Sequence, residues 1–387
     1  MKLLSILNLS NRDKPGADSG VIFQQLLLTR LVKHGWDCAV ASPIPLHITG
    51  VRDIFLEVGE SKYDVRFRFS WDEVVRIVSA QRPDVILVNQ VELTSHFRAL
   101  LVTIGVNARL LTYCHYWPIY EITAANRISW DDSLNHCGLA EIILLRILDA
   151  ALTCDAFFVT SEFSKNLLLS AAQRYNVRVQ APKIHILPCP ADPELLSPGR
   201  RRFRTGNTVL YNHRLYRQYG TEFLIEIIKE FARSEVRFVI TDFFGSRSSA
   251  RIGLDTHVER YRAELRRMKN VTIRDDGDSR SVYKNEILAS ADVGLGPFRK
   301  NANWSMSAVD CLGLGVPVVC PNCASFPEFT PNALLFDTKD KAVALLRRLL
   351  SDSSFWKECS LASQQKVARF SADRTATRFA TVVQSLQ

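Results

Sequence analysis

Short apolar runs alternate with amphipathic stretches along this chain, and that alternation predicts its architecture. Leu3–Leu9 reads as a strand, and Ser19–His34 as a helix with Val21, Leu26, Leu27, Leu31 and Val32 on one inward stripe. Trp36–Ser42 is the next strand. Helix Trp71–Ala80 leads through Arg82-Pro83-Asp84 into strand Val85–Asn89, and a helix near Ser95–Ile104 leads into strand Arg109–Cys114. Leu139–Leu152 reads as a helix, Ala156–Thr160 as a strand and Ser164–Arg174 as a helix. Strands alternating with helices predict a doubly wound parallel sheet, whose ligands gather at the carboxyl ends of the strands.

Prolines then interrupt the pattern. Leu187-Pro-Cys-Pro-Ala-Asp-Pro193 and Ser197-Pro-Gly199 break regular structure, so a domain boundary is expected near 188–200. Beyond it the alternation restarts. Thr208–Asn212, Val236–Thr241, Val271–Arg274 and Val293–Gly296 read as strands, separated by helices Glu222–Ala232, Val258–Arg267 and Ser281–Ala289. A helix over 340–350 follows later. The expected fold class is α/β, with two Rossmann-like doubly wound domains facing across a cleft. The expected division is an N-terminal domain over 1–190, a second domain over 191–371, and a C-terminal helix over 372–387 able to pack back on the first domain.

Composition narrows the class. A chain of 387 residues, 47% hydrophobic and 23% charged, suits two globular domains rather than a disordered or membrane-spanning protein. The opening MKLLSILNLSNR has too short an apolar run for a signal peptide and reads as the first strand. A cytoplasmic location is the expectation. Nine cysteines at no repeating spacing argue against a disulfide framework. Cys320-Pro-Asn-Cys323 follows a strand and has no second ligand pair nearby, so no metal site is expected. The net charge of +9 is uneven: residues 1–190 hold 19 Lys/Arg against 18 Asp/Glu, and residues 191–387 hold 30 against 22. The second half is the side that attracts an anion.

The stretch ANWSMSAVDCLGLGVPVVCPNCASFPEFTPNALLF, 302–336, is the most informative. It reads as a loop, an amphipathic helix ending near Gly315, a buried strand Val316–Val319 and a second loop carrying Glu328. The first N–H groups of a helix lack internal partners and form an anion site; here they belong to Asn303, Trp304, Ser305 and Met306. Asp310 lies within the same helix. Other segments offer polar groups in the loops between elements. Pro15-Gly16-Ala-Asp-Ser19-Gly20 joins the first strand to the first helix, either as a phosphate- or sugar-approaching loop or as a plain turn that Ser19 caps. Tyr113-Cys-His115-Tyr116-Trp117-Pro118 ends a buried strand, and its rings can stack on a sugar or line the core. Asp131 and Asp132 precede the Leu139–Leu152 helix, as acceptor-binding acids or, for Asp132, as a helix cap. Tyr211-Asn-His-Arg214-Leu-Tyr-Arg217-Gln-Tyr-Gly220 follows the first strand of the second half, and Phe298-Arg-Lys300 can also reach an anion. Arg200-Arg-Arg-Phe-Arg204 is the densest basic run, read as a solvated hinge or a nucleic-acid contact.

The 302–336 segment resembles the nucleotide-sugar site of family 4-like glycosyltransferases with the GT-B fold. In that family a Glu-x7-Glu motif precedes a GxPVV-like strand and a PE-containing loop. The second Glu, which holds the donor ribose, falls on Asp310, and the first falls on Ala302. HRLYRQYG resembles the family's GRL-x3-KG segment, where Arg and Lys hold the donor diphosphate: Arg214 matches the Arg, Tyr219 stands at the Lys, and Arg217 offers a second charge from two residues earlier. The resemblance places Gly16 and Gly20 near the reacting centre and puts His115 against donor sugar or acceptor near the reacting carbon. Tyr116, Trp117, Asp131 and Asp132 fall on the acceptor side. It implies transfer from a nucleoside-diphosphate sugar to a hydroxyl of a glycan or lipid-linked saccharide, with retention, no cofactor and no required metal. No nucleophile-plus-base pair stands out, in keeping with front-face substitution. Two alternatives stay open: transfer to a modified base of DNA or RNA, and a non-catalytic nucleotide- or sugar-binding module, prompted by Ala302 and Tyr219. Peripheral membrane contact without a transmembrane segment belongs to the same expectation.

Overall fold

The computed structural model describes residues 1–9, 12, 15–59, 61, 64–125, 127–135, 137–196, 206–241, 257–274 and 280–386. The chain forms two compact units: Met1–Pro190 with Ala372–Gln387, and Ala191–Ser371. The Arg200–Arg204 run lies outside the described residues.

The first unit is built on strands β1 (Lys2–Ile6), β2 (Asp37–Ser42), β3 (Val51–Phe55), β4 (Val85–Val88), β5 (Arg109–Cys114), β8 (Ala156–Val159) and β9 (Ile184–Ile186). Among the described residues they form one parallel sheet in the order β3-β2-β1-β4-β5-β8-β9. The central strands β4 (VILV) and β8 (AFFV) are buried at every position, as helices on both faces require. Edge strand β3 has no buried position, with Val51 and Ile54 half-buried and the rest exposed, Phe55 largely so. The covering helices include α1 (Ser19–Lys33), α2 (Trp71–Gln81), α3 (Thr94–Ile104), α4 (Leu139–Thr153) and α5 (Glu162–Arg174). A small antiparallel hairpin, β6 (Ile119–Ile122) and β7 (Ile128–Trp130), is inserted after β5.

The second unit repeats the plan. Strands β10 (Thr208–Tyr211), β11 (Arg237–Thr241), β12 (Val271–Arg274), β13 (Val293–Leu295), β14 (Val318–Pro321) and β15 (Leu335–Phe336) pair in parallel in the order β12-β11-β10-β13-β14-β15. Helices α6 (Thr221–Glu230), α7 (Val258–Arg266), α8 (Met306–Leu314), α9 (Lys339–Ser351) and α10 (Ser353–Ala368) accompany them. The expected strand Val316–Val319 begins two residues later, because Pro317 has no N–H for a ladder bond and its carbonyl instead accepts from Gly294 N. The expected helix Ser281–Ala289 contains a π turn at Tyr283–Ile287, a local widening often found at functional sites.

The last helix, α11 (Ala372–Ser385), belongs to the first unit. Its Phe379 is wholly buried, stacked on Phe158 at 5.3 Å between ring centres and tilted against Trp36 at 5.9 Å. Arg30 of α1 pairs with Asp373 at 2.9 Å. Both sheets wind outwards in two directions, and the reversal falls between β1 and β4 in one and between β10 and β13 in the other. Those two switch points are where an open α/β sheet leaves a crevice for ligand.

Candidate active site

At the switch point of the first unit, loops from β1, β4 and β5 converge. Asp18, not Ser19, caps α1: its Oδ1 accepts from Gly20 N at 2.8 Å and Val21 N at 3.4 Å, and Ser19 is already helical. Gly16 lies in a single helical turn, Pro15–Ala17, just before it. A side chain on Gly20 would stand 3.1 Å from Asn89 Nδ2 and 3.1 Å from Asp18 Oδ1, so glycine lets this loop lie against the end of β4 without displacing either side chain. Asn89 Oδ1 in turn accepts from His115 Nε2 at 2.6 Å, which leaves Nδ1 as the acceptor of the ring. His115 is half-buried at the surface, beside Tyr113 and edge-on to Phe23 of α1. Burial pushes its pKa down to about 3, so the imidazole is neutral at ordinary pH.

The residues expected on the acceptor side part company here. Trp117 is wholly buried in the core over α4, a position from which its ring cannot stack on a ligand. Asp131 is also wholly buried, and its Oδ2 accepts from the Tyr116 hydroxyl at 2.7 Å. Tyr116 is half-buried, with the Arg66 guanidinium 5.0 Å from its ring centre. Arg66 is ion-paired to the buried Glu92, which also accepts from Gln90. Asp131 also opens the short helix Asp132–Asn135, its carbonyl accepting from Leu134 and Asn135 N. Asp132, expected as a cap, is the first residue inside that helix. Asp131 and Tyr116 therefore work as a pair bracing the wall beside His115.

In the second unit the loop after β10 meets the loop after β13. Asn212 donates to the Tyr283 hydroxyl at 2.9 Å and to Ser307 O at 3.1 Å, tying the end of β10 to the first turn of α8. His213 is buried, and its Nε2 has no hydrogen-bond partner among the described residues. Burial, helped by the Arg299 charge, pushes its pKa down to about 3. Arg214 is half-buried, whereas Arg217 is exposed, in the turn Arg217–Tyr219. The Tyr219 hydroxyl accepts from Arg299 Nη1 at 2.9 Å, and Arg299 Nε donates to Asn301 Oδ1 at 2.7 Å. Gly220 (φ 71°) permits this meeting of loops: a Cβ there would lie 2.7 Å from Phe298 Cβ.

Ser305 caps α8, its Oγ accepting from Ala308 N at 3.3 Å, and Met306 opens the helix. Asn303 is buried just ahead of it. The Trp304 indole packs edge-on against Phe329 and Phe370, each at 5.0 Å, so its part in an anion site rests with the backbone. Ala302 is buried too, its carbonyl taken by the Ser325 amide and hydroxyl at 3.1 and 2.6 Å. Asp310 is 4% exposed, and both of its oxygens are engaged by Arg280, at 2.9 and 3.3 Å. Arg280 also reaches Asp192 at 3.0 Å, which Lys284 approaches at 2.6 Å. Burial lifts the Asp310 carboxyl above its ordinary value against the pull of Arg280. The Asp310 carboxylate is thus a structural ion-pair partner in this conformation, and a ribose contact requires it to share or exchange Arg280.

Sequence inspection missed Arg280, Tyr283 and Asn89. The strand-end argument that singled out His115 applies equally to Asn89, at the end of β4. Tyr283 carried no signal, since it stood inside a stretch legible only as a helix, and Arg280 stood just ahead of that stretch with no motif around it. Cys320 is buried in β14 and Cys323 half-buried, and no group of three or more His, Cys, Asp or Glu among the described residues is placed to hold a metal ion. No described helix is long and apolar enough to cross a membrane.

No family model and no curated protein matches the chain. Solved structures do. Sucrose-phosphate synthase from Thermosynechococcus elongatus superposes with a TM-score of 0.74 at 17% identity, covering 100% of this chain and 98% of that one. Anabaena HepE in complex with UDP-glucose gives 0.71 at 13% identity, with 100% of each chain covered. The trehalose-6-phosphate synthase OtsA gives 0.71 at 12% identity over 99% of each. The chain therefore has the GT-B glycosyltransferase fold, with two Rossmann-like domains.

Proposed function

We propose that this protein is a glycosyltransferase that moves a sugar from a nucleoside-diphosphate donor to a hydroxyl of a glycan or lipid-linked saccharide. The observation that carries the proposal is the switch point between β10 and β13. There the Arg214-bearing loop, the Arg299 loop and the capped N-terminus of α8 come together at the end of a parallel sheet. Such a site suits a diphosphate: helix amides and guanidinium groups both favour oxygens carrying negative charge. As the sugar leaves, charge builds on the diphosphate, and fixed cations and amides stabilise it without reorganising. The charge of the departing diphosphate is met by the protein itself, so the proposed reaction runs without a metal.

His115 and Gly20 serve the reacting sugar in this proposal. A neutral imidazole bonded to an amide, rather than to a carboxylate, is suited to orienting a hydroxyl and not to abstracting its proton at neutral pH. That favours departure and attack on one face of the sugar, with retention of configuration. HepE, of the same fold, binds UDP-glucose, which makes uridine-diphosphate sugars the first donors to test. The test is incubation of the full chain with UDP-, GDP- and ADP-sugars, with and without chelator, and mass spectrometry of co-purified and added saccharide acceptors. Nucleoside diphosphate release with a matching mass gain on an acceptor is the expected result. Tight donor binding with no transfer to any acceptor would leave a binding module instead.

A further inference from the structure

The loops after β1 and β3 enclose a cavity of about 330 Å³ in the first unit, lined by Arg12, Glu57, Val58, Gly59, Asp64 and Arg68. Val58 and Gly59 are buried and Arg12 is half-buried, whereas Glu57, Asp64 and Arg68 are exposed and form the rim. The space is that of a small ligand site. It lies at the carboxyl ends of two strands of the parallel sheet, the edge that also carries Asn89 and His115. Arg12 Nη2 donates to Val58 O at 2.6 Å, joining the two loops. A Cβ on Gly59 would lie 2.2 Å from Asp64 Cβ, so the missing side chain lets the loop after β3 close onto the short helix Asp64–Phe67. Asn8 Nδ2 donates to Val65 O of that helix at 2.9 Å. Arg66, from the same helix, is ion-paired to the buried Glu92 and lies 5.0 Å from the Tyr116 ring centre. One wall of the cavity is thereby anchored to the residue beside His115. Arg12 Nε is buried and has no hydrogen-bond partner among the described residues. A buried donor left unmatched marks a place that a ligand or water oxygen fills.

We propose that this cavity is a saccharide subsite, one that grips an uncharged sugar unit of the acceptor away from its reacting hydroxyl. The proposal rests on the saccharide-acceptor reading given above and gives it a recognition site. A sugar hydroxyl both donates and accepts, so a ring is held by guanidinium and carboxylate groups set side by side. Arg12 and Arg68 are the donors here, and Glu57 and Asp64 the acceptors. Arg68 and Glu57 stand 3.5 Å apart on the exposed rim; a solvated pair of this length is weak, so both groups can turn to a ligand. Two positive charges against two negative leave the cavity without a net field for an anion. Glu73, whose carboxylate accepts from Glu57 N at 3.1 and 3.2 Å, adds a further negative charge beside the rim. A phosphate or a nucleic-acid strand is therefore poorly matched, and a neutral ring is well matched. Contacts remote from the reacting bond orient the acceptor and favour chains long enough to fill the cavity.

The test is saturation-transfer NMR on the full chain with neutral methyl pyranosides, disaccharides and trisaccharides. Glucuronate, hexose 6-phosphates and a short oligonucleotide serve as anionic counterparts, and each probe is run with and without excess UDP. At least one neutral saccharide is expected to bind, to stay bound in excess UDP, and to bind more tightly than the anionic probes. Asp64→Asn keeps the shape of the side chain and removes its charge, and Arg12→Ala removes the unmatched donor. Each is expected to weaken the bound saccharide about 10-fold or more. Arg12→Ala also loses the contact to Val58, so thermal unfolding is followed in parallel, and Asp64→Asn decides if Arg12→Ala unfolds early. Absence of binding by every neutral saccharide, tighter binding of the anionic probes, or full affinity in Asp64→Asn overturns the subsite. If the same chain still transfers sugar from a nucleoside-diphosphate donor, the transferase reading survives that failure. Saccharide binding that Asp64→Asn weakens, in a chain that neither binds a nucleoside-diphosphate sugar nor transfers from one, keeps the subsite and overturns the transferase reading instead.

Discussion

His115 is held as a neutral imidazole, and this fixes how the protein should respond to acid. Its folded pKa of about 3 lies below the ordinary 6.5, and His213 is depressed to the same level. For a base depressed by folding, the unfolded chain binds the extra proton between the two values. The stabilising contribution is present above about pH 6.5 and is lost as pH falls towards 3, at up to ~1.4 kcal/mol per pH unit for each group. Urea denaturation at pH 7, 5.5 and 4.5 should show that decline, and His115→Asn should make it shallower. The same depression predicts that kcat/KM shows no inflection near pH 6.5 that disappears in the His115→Asn variant. Arg214 is half-buried, and in the proposed function it holds phosphate: Arg214→Ala should then weaken nucleoside-diphosphate binding by about 1.5–3 kcal/mol, the range of a charge-assisted contact; equal calorimetric affinities would remove it from the site. Asp310 is different in kind. Because both its oxygens hold Arg280 in a largely buried position, Asp310→Asn should cost about 2–4 kcal/mol of stability by leaving that charge poorly compensated. Chemical denaturation checks this, and an unchanged midpoint with weakened donor binding would make the acid a ligand contact first.

At the scale of elements, the meeting of the β10 and β13 loops depends on a single backbone position. Gly220 has φ 71°, and any side chain there would drive into Phe298 from 2.7 Å. Gly220→Ala combines strain at a left-handed position with a clash against neighbouring backbone, and about 1–3 kcal/mol of destabilisation is expected. The more telling readout is donor affinity, because parting the loops moves Arg299 away from Tyr219. A variant that keeps both its melting temperature and its diphosphate affinity would show that the loop contact is dispensable. The regular elements around this point were largely legible from periodicity. Helix α1 was predicted at Ser19–His34 and forms at Ser19–Lys33, and β5 was predicted at Arg109–Cys114 and forms there. Strand β3 and the β6–β7 hairpin were not, because their residues lie at an edge or outside the main sheet, where one-sided burial leaves only a weak apolar signal. The start of β14 moved because proline chemistry, not hydrophobicity, sets where a ladder begins.

For the whole molecule, the C-terminal helix α11 is a component of the first unit although the second unit separates it from that unit in sequence. Phe379→Ala, removing a wholly buried ring from between Trp36 and Phe158, should cost the first unit about 3–5 kcal/mol. Denaturation followed by tryptophan fluorescence would detect it, and a loss below 1 kcal/mol would mean that α11 is only loosely attached. The sequence by itself determined the α/β class, the restart of the pattern after the proline-rich stretch, and the strand ends that carry His115, Arg214 and the α8 N-terminus. These follow from local periodicity and from the backbone chemistry of proline, glycine and helix termini, all of which act over a few residues. Only the tertiary structure decided which polar groups face one another. It turned Trp117 and Asp131 inwards, gave Asp310 to Arg280, and set Arg299 against Tyr219 across 80 residues of chain. Pairings of that kind depend on strand order and loop approach, and one-dimensional spacing carries no record of either.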